Sequence, residues 1–209
     1  MYVAENYEKH KILSLKPNYL VGMSTEDIFK ISGCLMEGHT EFYNVWHGNG
    51  WIDKGQIIRY PNLLQEITRR QSTQIKENFY RTNLIVGAAF NGSIIAIHVA
   101  RYLNTLFAHT CGKGEDINFQ KMFKPPKGLN VCFVEDIIFS GTDVSDHIKF
   151  FKNYGLNVEG ISVWVNRQKD NFNGVKITSL IKPPFEYYLK ENCPLCKNNI
   201  PILFSNIRE

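Results

Sequence analysis

The sequence predicts an α/β fold with a doubly wound, mainly parallel central sheet flanked by helices, and with a small hood formed by the two ends of the chain. Short apolar segments alternate with helical segments between residues 80 and 170, a pattern typical of parallel strands joined by right-handed crossovers. The 209 residues, 44% of them hydrophobic, suffice for one domain with a sizeable core. We predict a single domain over residues 1–209, with its core at 80–170 and its hood at about 25–61 and 175–205.

The elements of the N-terminal part are predicted from local signals. Residues 25–37 are predicted to be helical, with Ser24 or Thr25 as the N-cap. Residues 39–60 are predicted to form short strands interrupted by a turn at His47–Gly50, because Asn-Gly within such a run favours a turn. Residues 62–79 carry the apolar stripe of an amphipathic helix.

The predicted core follows in chain order. A polar connection over 109–128 separates its second and third strands, and a connection of this length is usually a lid, a binding loop or disordered. The chain from Val175 is predicted to fold back as a cap or tail. The core elements are strand Leu84–Gly87, helix Gly92–Leu106, strand Leu106–Ala108, strand Val131–Val134, helix Val144–Tyr154 closed by Gly155, and strand Val158–Val165.

The composition of the chain indicates which kinds of ligand and which compartment the protein suits. The net charge of +4 comes from 24 basic and 20 acidic residues without a long basic run, which suits small anionic ligands and gives little support to nucleic-acid binding. Residues 1–11 contain no apolar core of a signal peptide, and no apolar run approaches the roughly 20 residues of a membrane span. Five scattered cysteines favour a reducing compartment, so we expect a cytoplasmic protein without membrane partners.

The most informative segment is Val131–Asp143, in which a buried strand is followed by two adjacent carboxylates, a Ser-Gly-Thr turn and a helix. Carboxylates accept hydrogen bonds from sugar hydroxyls, and the free N–H groups and dipole of a helix start favour a phosphate. Ligands of such sheets bind at the carboxyl ends of the strands. The segment therefore predicts a sugar-phosphate ligand. A plainer interpretation is a strand-end pair that caps a loop, with one carboxylate alone facing a ligand, since neighbouring side chains on a strand point to opposite sides.

The segment Val131–Asp143 resembles the phosphoribosyl-diphosphate motif of type I phosphoribosyltransferases, in which an acidic pair precedes a Thr-Thr-Gly turn. Leu84–Ser93 is similar to the family's diphosphate-binding loop, and residues 109–128 occupy the place of its mobile catalytic loop. The resemblance covers most of residues 30–202. Its orotate branch is indicated by family-like elements in Gly33–Pro61, which are Glu37-Gly38-His39, His47, Lys54 and Tyr60-Pro61, and by Cys193-Pro194-Leu195-Cys196 followed by Ile200-Pro201.

The resemblance implies a pentosyltransferase that makes orotidine monophosphate and diphosphate from orotate and phosphoribosyl diphosphate. It also implies a homodimer and Mg²⁺, which would be held mostly by oxygens of the ligand and by water, so no residue is predicted as a metal ligand.

The resemblance also assigns roles to residues. Glu135 and Asp136 would hold the ribose hydroxyls, and their charge suits a cation developing at the sugar carbon. Lys54 would contact the base or the diphosphate, and Lys113 or Lys121 would neutralise the leaving group. The 5′-phosphate would be wrapped by Phe139, Ser140, Gly141, Thr142 and Asp143, and the backbone of Ala88, Ala89 and Phe90, where the family often has a strained peptide, would face the diphosphate.

Three positions depart from the family pattern. Phe139 replaces a small or hydroxylic residue, Asn91 stands where glycine is usual, and Asp143 replaces a hydroxyl donor with a carboxylate that repels a phosphate. They leave three alternatives open: a protein of this fold that binds a nucleotide or phosphoribosyl diphosphate without turnover, a transferase for another nucleobase, or an interaction module. The alternative interpretation of Lys54, Lys113 and Lys121 is that each is a solvated charge, which is the commoner case for loop lysines such as Lys113 and Lys121.

Cys193 and Cys196 have the spacing of a zinc knuckle, but the sequence shows no second pair of ligands near them. A structural zinc site needs four ligands, so we predict a turn packed by Pro194 and Leu195. His39 and His47 are predicted to be structural or surface residues.

Overall fold

A computed structural model describes residues 20–43 and 45–205, and the chain divides into two compact units. One unit combines the chain up to Pro61 with the chain from Pro183 onward, and the other is Asn62–Lys182. The N-terminal residues 1–11, for which no signal peptide is predicted, lie outside the described residues. Within the described ranges, no helix is long and apolar enough to cross a membrane.

Helices and strands follow one another in this order: α1 (Thr25–Ile31), β1 (Leu35–Phe42), β2 (Trp46–Ile52), α2 (Gly55–Ile58), α3 (Pro61–Asn78), β3 (Leu84–Ala88), α4 (Ala89–Leu103), β4 (Leu106–Cys111), β5 (Asn118–Phe119), β6 (Asn130–Ile138), α5 (Thr142–Tyr154), β7 (Asn157–Asn166), β8 (Asn171–Phe172), β9 (Val175–Ile181), β10 (Tyr187–Leu189), α6 (Pro194–Lys197) and β11 (Phe204–Ser205).

The unit Asn62–Lys182 is built on a seven-stranded sheet of order β5-β4-β3-β6-β7-β9-β8. The five strands from β4 to β9 are parallel, and the short edge strands β5 and β8 are antiparallel to their neighbours. Along the chain, β4 is added on one side of β3, whereas β6 and then β7 and β9 are added on the other side of β3. This reversal opens a crevice at the carboxyl ends of β3 and β6. The predicted doubly wound α/β fold is confirmed.

The sheet of this unit is covered on both faces. In β7, every residue from Gly160 to Asn166 is buried, so neighbouring side chains on opposite faces are all shielded from water. Helix α3 is joined to this strand by Gln71, which accepts a hydrogen bond from Trp164 Nε1 at 3.2 Å and donates one to the Ser162 carbonyl at 2.9 Å. Both polar groups of the buried Gln71 side chain are thereby satisfied.

The other unit contains a four-stranded sheet of order β10-β2-β1-β11. Strands β1 and β2 form an antiparallel pair, while β10 and β11 from the C-terminal part of the chain add to its two edges. The two ends of the chain therefore share one sheet. The predicted hood boundary at 175 was wrong, because Val175–Ile181 pairs with β7 in the larger sheet.

The first helix is shorter than predicted. It ends at Ile31 instead of residue 37, because Gly33 adopts a left-handed conformation with φ of 71°. The Gly33 N–H donates to the Lys30 carbonyl and the Cys34 N–H to the Phe29 carbonyl, which is the hydrogen-bond pattern of a Schellman motif. The chain then enters β1 at Leu35.

The turn predicted at His47–Gly50 was also wrong, because β2 runs through these residues. The chain turns before Trp46, where the Val45 N–H donates a hydrogen bond to the Phe42 carbonyl at 3.2 Å. The glycines serve instead to admit aromatic rings. A Cβ atom on Gly50 would lie 2.3 Å from Phe185 Cδ1, and one on Gly48 would lie 2.7 Å from Tyr187 Cδ1. Tertiary packing thus selects a strand where local sequence favours a turn.

The connection over 109–128 has more regular structure than predicted. Strand β4 extends to Cys111, β5 pairs back onto it, and two short 3₁₀ helices lie at Gly114–Asp116 and Lys121–Phe123. Phe119 anchors the connection to α5, since its ring packs 5.2 Å from the ring of Phe150 and 4.8 Å from that of Tyr154.

The packing of β2 predicts that Gly50→Ala destabilises the unit that contains it. The Phe185 ring has to move to admit the new methyl group, and such overpacking costs about 1–3 kcal/mol. Thermal unfolding should therefore show a melting temperature several degrees below that of the unchanged protein. Gly22→Ala is the control, because a Cβ there meets nothing within 4 Å. Equal melting temperatures for the two variants would contradict this account of the Gly50 packing.

Candidate active site

Two loops meet at the crevice between β3 and β6. The first leads from β3 through Ala88 and Ala89 into α4, and the second leads from β6 through residues 139–141 into α5. Because β3 and β6 are parallel neighbours, with Gly87 in register with Val134, their carboxyl ends bring both loops to the same edge of the sheet. The segments identified from sequence as a sugar site and a diphosphate site are therefore adjacent.

Glu135 joins the two loops directly. Its Oε1 accepts a hydrogen bond from the Ala88 N–H at 3.0 Å. The carboxylate also lies close to the backbone of α4, since a Cβ atom on Gly92 would be 2.3 Å from Glu135 Oε1. Glycine at position 92 thus leaves the room that the carboxylate needs.

Asp136 is held from two sides and is only 7% exposed. Its Oδ2 accepts a hydrogen bond from Asn91 Nδ2 at 3.2 Å, and its Oδ1 accepts one from the Ile137 N–H at 2.6 Å. Both adjacent carboxylates therefore contact the start of α4, contrary to the expectation that neighbouring side chains diverge. Asn91, a departure from the family pattern, orients Asp136. The sequence gives no sign of this contact, because the two residues are 45 positions apart in the chain.

Backbone strain is present at the start of α4. Ala89 has a φ of 50°, in the left-handed region that costs a non-glycine residue about 1–2 kcal/mol. This residue lies where the resemblance predicts a strained backbone. Phe90, the next residue, is 75% exposed, so its backbone and ring lie at the surface of the crevice loop.

The second loop leads into α5 with the geometry of an anion site. Gly141, the N-cap residue, has a φ of 84° and no side chain with which to cap the helix. Among the described residues, the N–H groups of the first turn therefore have no partner except for a long contact of 3.4 Å between the Thr142 N–H and Ser140 Oγ, which leaves them available to an anion. The hydroxyls of Ser140 and Thr142 lie 3.2 Å apart at the same place.

Two opposite charges lie beside this turn, one on Arg167 and one on Asp143. The Arg167 guanidinium lies 4.0 Å from the centre of the Phe139 ring, and Gln168 Nε2 donates to the Phe139 carbonyl at 2.8 Å. Phe139 thereby anchors the loop to the β7–β8 connection and brings a cation to it. Asp143 is exposed in the first turn of α5, where its carboxylate competes with an anionic ligand for the helix dipole.

His147, one turn further along α5, holds this turn against β4. It was not identified from the sequence. Its Nδ1 lies 2.7 Å from the Asp143 carbonyl and its Nε2 lies 3.1 Å from Thr110 Oγ1, so it links α5 to β4. Burial lowers the pKa of His147 and favours the neutral ring that stacks on Phe133 at 4.6 Å. The only local signal is a histidine on the apolar face of a helix.

A second unpredicted contact links the diphosphate loop to β4. Ser93 Oγ is hydrogen-bonded to both the Ala89 carbonyl and His109 Nδ1. His109 is in register with Gly87. Ser93, a residue of α4, therefore links the strained Ala89 peptide to His109 on the neighbouring strand β4.

The structure places the three predicted lysines in three different locations. Lys113 follows the carboxyl end of β4 at the tip of the hairpin and is exposed. Lys121 is also exposed, but it follows β5, which runs back along β4 away from that edge. Lys54 belongs to the other unit, where it is the N-cap residue of α2.

The other unit brings together four possible metal ligands. His39, His47, Cys193 and Cys196 each offer one ligand atom, and these four atoms all lie within 4.8 Å of one another. His39 and His47 are thus the second pair of ligands that Cys193 and Cys196 were predicted to lack, and that prediction was wrong. The two histidines could not be recognised as partners of the cysteines from the sequence, because about 150 residues separate them in the chain.

Solved structures share this fold. The chain resembles the crystal structure of orotate phosphoribosyltransferase from Aeropyrum pernix with a TM-score of 0.64 at 20% sequence identity, over 75% of this chain and 92% of that one. Adenine phosphoribosyltransferase from Saccharomyces cerevisiae is also similar, with a TM-score of 0.54 at 20% identity, over 63% and 86% of the two chains. The architecture is thus that of a type I phosphoribosyltransferase.

Sequence comparison identifies the branch, although no family model matches the chain. The chain is 30% identical over 179 residues to orotate phosphoribosyltransferase of Thermotoga maritima, a match that spans 84% of this chain and 94% of the relative. The chain belongs to the orotate phosphoribosyltransferase family.

Proposed function

We propose that the protein transfers the 5-phosphoribosyl group from phosphoribosyl diphosphate to orotate, giving orotidine 5′-monophosphate and diphosphate. The observation that carries this proposal is the Glu135–Asp136 pair, held against the start of α4 at the crevice of the sheet. The 30% identity to a relative named orotate phosphoribosyltransferase supports orotate as the acceptor.

The acidic pair suits the sugar of the donor. Glu135 Oε1 and Asp136 Oδ2 accept hydrogen bonds from amide groups of α4 or its N-terminal loop, which orients both carboxylates toward the crevice without neutralising them. Ribose hydroxyls would donate to these oxygens. As the bond from the sugar carbon to the diphosphate breaks, positive charge develops on the ribose, and two fixed carboxylates stabilise it more than they stabilise the ground state.

The turn before α5 suits the 5′-phosphate. The first-turn N–H groups and the hydroxyls of Ser140 and Thr142 converge there, and Arg167 over the Phe139 ring adds positive charge beside the loop. This charge offsets part of the repulsion from Asp143. The replacement of a small or hydroxylic residue by Phe139 is therefore compatible with turnover.

The diphosphate would bind at the start of α4. The exposed backbone around Ala89 faces this place, and Lys113 at the hairpin tip of β4 is the better positioned of the two candidate cations. The oxygen-rich crevice fits Mg²⁺, which is held by few carboxylates together with substrate phosphates and water. Mg²⁺, when bound, would neutralise charge on the leaving diphosphate.

We further propose a cytoplasmic homodimer that binds neither nucleic acid nor membranes. Helix α4 presents Phe90 and Ile97, two turns apart, at 75% and 51% exposure. Apolar side chains on one face of a helix favour a subunit contact. The solution mass from light scattering should be twice the 24.2 kDa of the chain, and a mass of one chain would contradict the dimer.

The acidic pair predicts the outcome of a direct assay. With phosphoribosyl diphosphate, Mg²⁺ and orotate, the unchanged protein should consume orotate, followed by its absorbance. Asp136→Asn and Glu135→Gln should each lower kcat/KM by about 10²–10³-fold, because each removes a charge that stabilises the developing cation. Glu77→Gln, an exposed change on α3, is the matched control. Full activity of both site variants would refute the role of the pair.

The departure at Asp143 keeps a second function open, a protein that binds phosphoribosyl diphosphate without turnover. Asp143→Thr removes a like charge from the phosphate turn and restores a hydroxyl. Binding of phosphoribosyl diphosphate, measured by calorimetry, should tighten by about 3–10-fold, since an exposed charge contributes about 1 kcal/mol. Unchanged affinity would show that Asp143 points away from the ligand. A protein that binds this ligand but consumes no nucleobase would favour the second function.

A further inference from the structure

We propose that His39, His47, Cys193 and Cys196 form a structural zinc site that joins the C-terminal segment of the chain to the β1–β2 hairpin. The site lies within one unit and is separate from the proposed transfer reaction. Three of the four residues are buried, and Cys196 is half-buried.

The distances suit a tetrahedral ion. His39 Nε2 lies 3.6 Å from Cys193 Sγ and 3.7 Å from Cys196 Sγ, while His47 Nδ1 lies 3.2 Å from Cys196 Sγ. With zinc bonds of about 2.0–2.1 Å to nitrogen and about 2.3 Å to sulfur, a tetrahedron places nitrogen and sulfur about 3.5 Å apart. The two ring nitrogens are 2.8 Å apart, and they would need to separate by about 0.5 Å to bind one ion.

A hydrogen bond to His39 and a carboxylate that faces His47 orient both histidines toward the centre of the cluster. His39 Nδ1 lies 2.7 Å from the Ile200 carbonyl, which can only accept a hydrogen bond, so the proton is on Nδ1 and the lone pair is on Nε2. His47 Nε2 faces Glu41 Oε1 at 3.6 Å, which favours the proton on Nε2 and the lone pair on Nδ1. Such carbonyl and carboxylate partners accompany metal-binding histidines.

These tautomers point two lone pairs at each other across 2.8 Å, in a buried place that also contains two thiols. Lone pairs at this distance repel unless a proton or a cation lies between them. A divalent cation with two thiolates removes the repulsion and leaves the buried site with no net charge. The donor set of two sulfurs and two imidazoles favours zinc among divalent metals.

The four ligands come from segments that are distant in the sequence. His39 lies at an irregularity of β1, where the pairing with β2 shifts between Glu37 and Thr40, and His47 lies on β2. The two cysteines flank the start of α6. Four protein ligands leave no open position for a substrate, so the ion would be structural and not catalytic. It would hold residues 193–200 against the hairpin, beside β10 and β11.

Elemental analysis of the full chain, purified without a histidine tag, tests the proposal. The unchanged protein should contain about one zinc per chain, and Cys196→Ser or His47→Gln should lower this at least about fivefold, because a three-ligand site binds zinc far less tightly. Cys111→Ser is the matched control: it removes an exposed cysteine of the other unit and should retain the zinc. Absence of zinc from the unchanged protein, even after anaerobic incubation with zinc, would overturn the proposal, as would full zinc content in both ligand variants.

A second measurement needs no variant and so does not depend on a variant's folding. Unchanged protein stripped with a chelator should show a lower melting temperature, which added zinc restores. Cobalt in place of zinc should give the visible bands of a tetrahedral site together with thiolate-to-metal charge transfer. A cobalt spectrum without charge transfer would exclude the cysteines as ligands. Metal content is measured apart from orotate consumption, so failure of the zinc site and failure of the transferase proposal are separate results.

Discussion

The hydrogen bond from the Ala88 N–H to Glu135 depends on one constraint, the parallel pairing of β3 with β6. This pairing places the carboxyl ends of two strands side by side although they are distant in the chain. Everything at the crevice follows from it: the strained Ala89 peptide, the close approach at Gly92 and the Asn91–Asp136 contact. A slip of one residue would turn the carboxylates away from α4.

The family departures acquire physical explanations once the contacts are known. Asn91 replaces a glycine but supplies the amide that orients Asp136. The ring of Phe139 packs against the Arg167 guanidinium and so keeps a cation beside the phosphate turn. Only Asp143 opposes an anionic ligand, and its exposure lets water screen its charge. The structure therefore favours a working transferase over a protein that only binds the donor.

The two units are organised on different principles. The unit with the crevice contains an apolar core on both faces of a large sheet. The smaller sheet is assembled from both ends of the chain, with aromatic rings over glycines and a buried cluster of histidines and cysteines. A bound metal would compensate for the limited apolar area that such a sheet can bury.

The sequence by itself determined the features that depend on local order. Alternating strands and helices predicted the parallel sheet, and the acidic pair before a glycine turn predicted where the crevice lies, because strand ends and helix starts are properties of contiguous residues. Tertiary structure decided what depends on distant partners. It turned His47–Gly50 into a strand beneath Phe185, placed Val175–Ile181 in the larger sheet and joined His39 and His47 to Cys193 and Cys196. These outcomes could not be predicted from the sequence, because the contacts that stabilise them join residues that lie far apart in the chain.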